Sequence, residues 1–193
     1  VSQSYMSSRL AVCKKSHEFY FDSDKIYMRS LDLMITTKCS LKCSNCSNLM
    51  QYYVNPKHTE HQEILAALDI LGENVDYISE YRVIGGEPLM NKDWADIVNE
   101  ISKKNEESKI FIYTNATISP KDEQLKSFQG KNVNFIITDY KELSTNIDKM
   151  MEKLTKFEIS FNRQPAEDWV DCSSIKHHKR PASQLEEVFK QCC

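Results

Sequence analysis

LDLMITTKCSLKCSNC, residues 31–46, joins an apolar run to three closely spaced cysteines. Cys39, Cys43 and Cys46 fall within eight residues, and no fourth cysteine or histidine lies beside them. A structural zinc site is closed by four ligands, whereas a reactive metal site keeps one position open. Iron–sulfur clusters normally take four cysteines, so a set of three leaves one iron to an outside ligand. The spacing therefore indicates a metal centre whose protein ligation is incomplete.

Apolar runs typical of strands alternate with amphipathic runs typical of helices along the chain. This alternation predicts right-handed βαβ units and a parallel sheet, with ligands at the carboxyl ends of the strands. The first 24 residues are weakly patterned, and the polar start Val1-Ser2-Gln3-Ser4 is predicted to be loose. The predicted strands are 26–36, 81–84, 109–113, 132–138 and 157–161. The predicted helices are 61–71, a helix capped by Asn91 that bears Trp94, Ile97, Val98 and Ile101, a short helix opening at Ser119-Pro120, and a helix that bears Ile147, Met150, Met151 and Leu154.

Composition narrows the classes of function. The chain has 193 residues, 40% hydrophobic and 27% charged, which is ordinary for one globular domain. Its net charge of −3 predicts no charge-driven binding to nucleic acid or to a membrane surface. The apolar runs are too short for a transmembrane helix, and no secretory signal is recognisable, so we expect a cytoplasmic protein. In that compartment, clustered cysteines indicate metal binding rather than disulfides.

The cysteine spacing resembles the cluster loop of the radical S-adenosylmethionine (SAM) superfamily, and a second motif strengthens the resemblance. Gly85-Gly86-Glu87-Pro88 follows an apolar run, and in that family a strand ends in this motif. A weaker match is Tyr113-Thr114-Asn115-Ala116-Thr117, where relatives usually show Thr-Asn-Gly. Together with the strands around them, these motifs span about residues 27–140.

This resemblance implies an α/β fold with parallel strands, a partial (β/α)6 TIM-like barrel that is shortened here to about five strands. It implies that Cys39, Cys43 and Cys46 hold a 4Fe-4S cluster whose fourth iron is chelated by SAM. In the family, an electron from the reduced cluster cleaves SAM, and the resulting 5′-deoxyadenosyl radical removes hydrogen from a substrate. Glu87 and the Gly85-Gly86 backbone would bind the methionine end, because glycine permits close approach and a carboxylate complements an ammonium group.

Four further positions are weaker candidates for contact with SAM. Asn45 stands where relatives commonly carry an aromatic residue against the adenine, so hydrogen bonding would replace stacking there. Thr114, Asn115 and Thr138 end two successive predicted strands, where they suit hydrogen bonds to the ribose or the SAM carboxylate. Alternatively, these residues only terminate strands, since such side chains are common in turns.

The remaining cysteines leave two alternatives open. Many relatives extend into a cysteine-rich auxiliary-cluster module of the SPASM or twitch type, and Cys172 followed by Cys192 and Cys193 resembles the start of one. Alternatively, Cys192 packs as a small apolar residue on a helical stripe that begins at Leu185. Cys13 is expected to be unliganded.

Both ends of the chain predict a fragment, because it begins with valine and stops directly after an amphipathic run. The expected division is an N-terminal extension (1–25), a radical SAM core (26–165) and the start of a truncated cysteine-containing extension (166–193). The expected function is a radical SAM enzyme core acting on an unknown substrate, with a reductant such as flavodoxin or ferredoxin and no nucleic-acid or membrane partner. One alternative is a non-catalytic iron–sulfur protein for electron transfer or regulation, and another is a zinc-stabilised binding domain.

Overall fold

A parallel sheet of five strands forms the centre of the computed structural model, which describes residues 3–20, 24–166 and 179–191. The strands lie side by side in chain order, and all four pairings are parallel. This confirms the predicted α/β class and the shortened, partial barrel. The strands are Tyr27–Met34 (β1), Tyr77–Ile84 (β2), Lys109–Thr114 (β3), Val133–Asp139 (β4) and Ser160–Pro165 (β5).

Four helices connect successive strands and cover one face of the sheet. Because each connection returns to the next parallel strand with the same hand, all four helices lie on that face. Their apolar residues form the main core with alternate strand residues such as Ile110, Ile112 and Phe135. No helix within the described ranges is long and apolar enough to cross a bilayer. The helices are Gln3–Tyr20 (α1), His61–Gly72 (α2), Trp94–Lys104 (α3), Asp122–Lys126 (α4), Ile147–Lys156 (α5) and Ala182–Gln191 (α6), of which α2 to α5 are the connecting helices.

The first helix, α1, packs on the opposite face of the sheet and begins at Gln3, so the prediction of a loose start was wrong for Gln3 and Ser4. Val12 is buried against Phe111 and Ile136, and the Phe111 ring lies 6.0 Å from that of Tyr5. The Arg9 guanidinium reaches the buried Glu80 carboxylate at 2.5 Å. A few anchoring side chains hold this helix rather than a continuous apolar stripe, which explains the weak pattern in its sequence.

Several element boundaries differ from the predicted ones. The helix that was predicted to open at Ser119-Pro120 begins at Asp122. β2 begins four residues earlier than predicted, and β5 begins at Ser160 because Phe157 still closes α5, its N–H donating to Lys153 O. Asn91 does not cap α3, which begins at Trp94 after Asp93. The Asn91 amide instead donates to the carbonyl oxygens of Ile35 and Thr59, at 2.9 and 3.2 Å. It therefore fastens the chain just after β1 to the segment that precedes α2.

Candidate active site

The cysteine loop, residues 35–49, runs beside the glycine loop, residues 85–87, at the carboxyl edge of the sheet. Parallel pairing of β1 and β2 continues into both loops through main-chain hydrogen bonds, so the two loops form one backbone platform. The bonds run from Ile35 N–H to Ile84 O (3.1 Å), from Gly86 N–H to Thr36 O (3.0 Å) and from Glu87 N–H to Lys38 O (2.8 Å).

The two glycines allow this close contact between the loops. A Cβ at Gly86 would lie 2.2 Å from the Lys38 carbonyl oxygen and 2.7 Å from the Cys39 Cβ. A Cβ at Gly85 would lie 2.3 Å from the Thr36 carbonyl oxygen. Real side chains do not tolerate such distances to a backbone. The glycines were expected to let a ligand approach the backbone closely. In the structure, the space left by their missing side chains is occupied by the backbone of the cysteine loop.

A cavity of about 340 Å³ lies beside the two loops, on the same face of the sheet as α1. The three thiols open onto it and are half-buried. Ligand pockets in proteins have volumes of roughly 300–1,000 Å³, so the cavity is large enough for a small molecule. The sequence-predicted residues that line it are Cys39, Cys43, Cys46, Gly85, Gly86, Thr114, Asn115 and Thr138.

Glu87 lies outside this cavity, although it belongs to the predicted motif. Its side chain is completely buried, with Oε1 accepting from Leu89 N–H (3.1 Å) and the Thr114 hydroxyl (2.9 Å). Its Oε2 accepts from Asn115 N–H at 2.8 Å. Burial raises the pKa of Glu87 to about 7, against the opposing effect of these hydrogen bonds. The Glu87 carboxyl group therefore links the glycine loop to the end of β3, and its expected pairing with an ammonium group stays a prediction.

Asn45 is not brought together with the other candidates. Its side chain is exposed and does not line the cavity, so its contact with an adenine stays a prediction. The nearby Asn48 does line the cavity, and its amide donates to the Gly85 carbonyl oxygen at 3.1 Å. This bond adds a side-chain link to the main-chain links between the two loops.

The thiols have the chemistry and surroundings expected of cluster ligands. Burial raises the pKa of Cys39 and Cys43, and the neighbouring Cys46 raises that of Cys43 further, so ionised thiols here require nearby positive charge. Metal ions supply such charge and hold cysteine as thiolate. Within residues 3–20, 24–166 and 179–191, no three Cys, His, Asp or Glu side chains converge on a single-ion site. A cluster requires no such convergence, because each thiolate binds a different iron, and this set therefore fits a 4Fe-4S cluster with one iron free.

The residues that form the floor of the cavity were missed by sequence analysis. Asp32 and Arg82 are cross-strand neighbours on β1 and β2, and Asp32 Oδ1 lies 2.5 Å from Arg82 Nε. Tyr113, Tyr140 and Gln164 also line the cavity. Asp32 and Arg82 could have been recognised in the sequence as charged residues within otherwise apolar strands. A charged side chain in such a strand, near the carboxyl edge of the sheet, is expected to pair with another side chain or to bind a ligand.

The candidates for an auxiliary cluster, Cys172, Cys192 and Cys193, lie outside the described residues, and that hypothesis stays a prediction. On α6, the side chains of Leu185 and Phe189 are 54% and 71% exposed, so these two members of the predicted apolar stripe are not core residues. Cys13 is an exposed free cysteine on α1.

Curated proteins similar to this chain include enzymes that act on a nucleotide. A segment of 116 residues is 29% identical to the GTP 3',8-cyclase of Clostridium acetobutylicum and covers 58% of this chain and 35% of that protein. A segment of 100 residues is 34% identical to the probable GTP 3',8-cyclase of Methanococcus maripaludis and covers 49% of this chain and 31% of that protein. The match therefore spans about a third of the length of these relatives.

A solved structure and a family model match a larger part of the chain. The crystal structure of BtrN in complex with AdoMet and 2-DOIA aligns with a TM-score of 0.52 and 13% identity, over 72% of this chain and 57% of BtrN. At that identity the likeness shows the fold alone. The model of the Radical SAM superfamily matches residues 33–162, which include the three clustered cysteines, the glycine loop and the ends of β3 and β4. The chain belongs to the radical SAM superfamily.

Proposed function

We propose that residues 26–165 form the radical-generating core of a radical SAM enzyme, with a 4Fe-4S cluster on Cys39, Cys43 and Cys46 and SAM in the adjoining cavity. The observation that carries this proposal is that the three thiols and the glycine loop open onto one cavity of about 340 Å³. When bound, the reduced cluster and SAM together supply a 5′-deoxyadenosyl radical for hydrogen abstraction. The protein holds, orients and shields these groups.

Different residues of the chain hold different parts of SAM in this proposal. The backbone of Gly85 and Gly86 forms one cavity wall, and Thr114, Asn115 and Thr138 offer polar groups from the ends of β3 and β4. These groups suit the methionine and ribose ends of SAM. Glu87 acts indirectly in this proposal, because its three hydrogen bonds keep the glycine loop and the β3 end in register.

The substrate would occupy the part of the cavity nearest its floor. Arg82 and Asp32 stand there as a cation and an anion, with side chains 36% and 48% exposed. A guanidinium group suits phosphate or carboxylate. The names of the similar proteins make GTP the first substrate to assay, and the Arg82 cation suits its phosphates.

The proposed partner is a one-electron reductant such as flavodoxin or ferredoxin, and the proposed location is the cytoplasm. A superfamily enzyme needs an external electron for each SAM cleavage. The half-buried thiols at the carboxyl edge of the sheet support this proposal, because a cluster bound there would lie near the protein surface, where a reductant can approach.

Electron paramagnetic resonance of the anaerobically reconstituted, dithionite-reduced protein tests the proposal. We expect a 4Fe-4S signal that changes when SAM is added, because SAM would ligate the free iron. Cys43→Ala should lose both the signal and 5′-deoxyadenosine formation. Cys13→Ala, which removes an exposed thiol on α1, should keep both. A cluster signal indifferent to SAM would instead favour the non-catalytic iron–sulfur alternative, and bound zinc without iron would favour the zinc-stabilised domain.

A further inference from the structure

Two side chains from outside the cysteine loop donate hydrogen bonds to the thiols of that loop. The Asn115 amide nitrogen lies 3.8 Å from Cys39 Sγ, a normal length for a bond to the large sulfur atom. The Tyr140 side chain lines the cavity beside Cys43, and as a hydrogen-bond donor its hydroxyl acts to lower the pKa of the Cys43 thiol. Both donors line the cavity together with the cysteines, and both follow the carboxyl ends of strands, β3 and β4 respectively.

A shared hydrogen-bonded frame holds these two donors in place. Tyr140 N–H donates to Ser144 Oγ at 2.9 Å, and the same hydroxyl donates to Asn115 O at 2.8 Å. Ser144 is 2% exposed, so water competes little for these bonds. On its other side, Asn115 N–H is fixed by the buried Glu87 carboxylate. The backbones of Tyr140 and Asn115 are therefore held at the carboxyl edge of the sheet. The Asn115 side chain is held as well, because its Oδ1 accepts from Thr117 N–H at 3.0 Å and its amide also donates to Ser40 Oγ at 3.2 Å.

We propose that Tyr140 and Asn115 raise the reduction potential of the bound cluster by hydrogen-bonding two of its three thiolates. This inference rests on the proposed function, since it requires a cluster on the three cysteines. The one-electron reduced cluster carries one more negative charge than the oxidised cluster, and part of that charge resides on the thiolate sulfurs. O–H and N–H dipoles aimed at the sulfurs stabilise the reduced state more than the oxidised state. Partial burial strengthens the effect, because the local dielectric constant is lower than that of water.

A merely structural role for Tyr140 predicts a different result. If its ring only packs against the cysteine loop, removing the hydroxyl leaves the potential unchanged. Tyr113 provides a matched comparison, since it lines the same cavity, but its phenol group lies near Glu80 and Arg82 rather than near a thiol. Tyr113→Phe removes a hydroxyl of the same kind from the same cavity without touching a sulfur.

The test is a redox titration of the reconstituted proteins, followed by electron paramagnetic resonance without SAM. Tyr140→Phe should shift the one-electron equilibrium toward the oxidised cluster by about tenfold, which corresponds to about 59 mV. Asn115→Asp should shift it further in the same direction, because it replaces a donor by a negative charge. Tyr113→Phe should keep the wild-type potential. Iron content and the visible spectrum establish that each protein carries the same cluster.

The outcomes separate this inference from the proposed function. A wild-type protein that takes up no 4Fe-4S cluster overturns the proposed function. A wild-type protein that takes up the cluster, with an unchanged potential in Tyr140→Phe, overturns the inference alone. An equal shift in Tyr113→Phe also overturns it, since the effect would then be one of general cavity polarity. If Tyr140→Phe fails to load, the potential of Asn115→Asp decides, and an unchanged value refutes the role of sulfur hydrogen bonds.

Discussion

Replacing Glu87 by alanine separates a structural link from a ligand contact at the glycine motif. The carboxyl group is buried and accepts hydrogen bonds from Leu89, Thr114 and Asn115. Truncation leaves these donors without a protein partner. Because they lie on both the glycine loop and the β3 end, the expected consequence is a loss of fold stability together with a loosened cavity wall.

The magnitude follows from the number of bonds and from the pH. Near pH 5 the folded carboxyl is largely protonated, since burial raises the pKa of Glu87 to about 7. Three hydrogen bonds at about 1 kcal/mol each, plus a cost for the unsatisfied donors, give a loss of about 3–5 kcal/mol. The unfolded carboxyl titrates near 4.5, so the folded state binds more protons than the unfolded state between pH 4.5 and 7. The stabilising contribution of Glu87 therefore declines as the pH rises through that window, by about 3 kcal/mol in total.

Urea unfolding at pH 5 and at pH 8 measures this difference, with wild type and variant in the same cluster state. Glu87→Ala should be much less stable than wild type at pH 5, and the gap should narrow at pH 8. Glu152→Ala, a change at an exposed position of α5, should stay within about 0.5 kcal/mol of wild type at both pH values. Unchanged stability of Glu87→Ala, combined with lost SAM affinity, would refute the structural link and restore a direct ligand contact.

Three further substitutions test the contact between the glycine loop and the cysteine loop, the packing of α1 on the sheet and a surface ion pair. Gly86→Ala should block cluster loading, because its Cβ would lie 2.2 Å from a backbone oxygen of the cysteine loop. Gly72→Ala is the control and should load normally, because a Cβ there would have no atom within 4 Å. The iron content after reconstitution measures the loading of both variants. Arg9→Ala should lower the free energy of unfolding by about 2 kcal/mol after allowance for the part exposure of Arg9, because the buried Glu80 loses its closest cation. A change below about 0.5 kcal/mol in urea unfolding would contradict that value. Hydrogen bonds from two lysines of α5 lower the pKa of the Asp122 carboxyl to about 2. The ionised carboxyl therefore stabilises the folded state above about pH 4, and this stabilisation is lost as the pH falls from about 4 to about 2. Thermal unfolding of Asp122→Asn should lack this acid-dependent loss, and added salt should reduce it in the wild type.

Local sequence patterns were enough to predict the parallel sheet and the proximity of the three thiols. The strand–helix alternation has periods that are readable within about ten residues, and the parallel sheet follows from it. Cys39, Cys43 and Cys46 lie so close in sequence that any loop brings them to one place. The glycine pair was also recognisable, although its immediate neighbour in the structure is the cysteine loop.

Contacts between distant segments could not be predicted in this way. The partners of Glu87 at the end of β3, Thr114 and Asn115, lie 27 and 28 residues away in sequence, and no spacing rule connects them to Glu87. Tyr140 stands two residues beyond the predicted end of the fourth strand, yet its position beside Cys43 depends on how the end of β4 faces the cysteine loop. The helix α1 was missed because its anchors, such as Arg9, act singly rather than as a periodic stripe. In each case the pairing is decided by the packed fold and not by a local period.

The position of α1 on the same face of the sheet as the cavity has a consequence for how such a protein evolves. Tyr5 on α1 and Tyr113 both pack against the cluster of Val12, Phe111 and Ile136, and Tyr113 also lines the cavity. The cavity wall at Tyr113 is therefore supported by a helix that carries none of the three cysteines of the cysteine loop. We expect mutations in α1 to reshape this wall while the strands and loops that hold the thiols keep their sequence. The shape of the cavity and the ligation of the proposed cluster would then be separate targets for selection within one small domain.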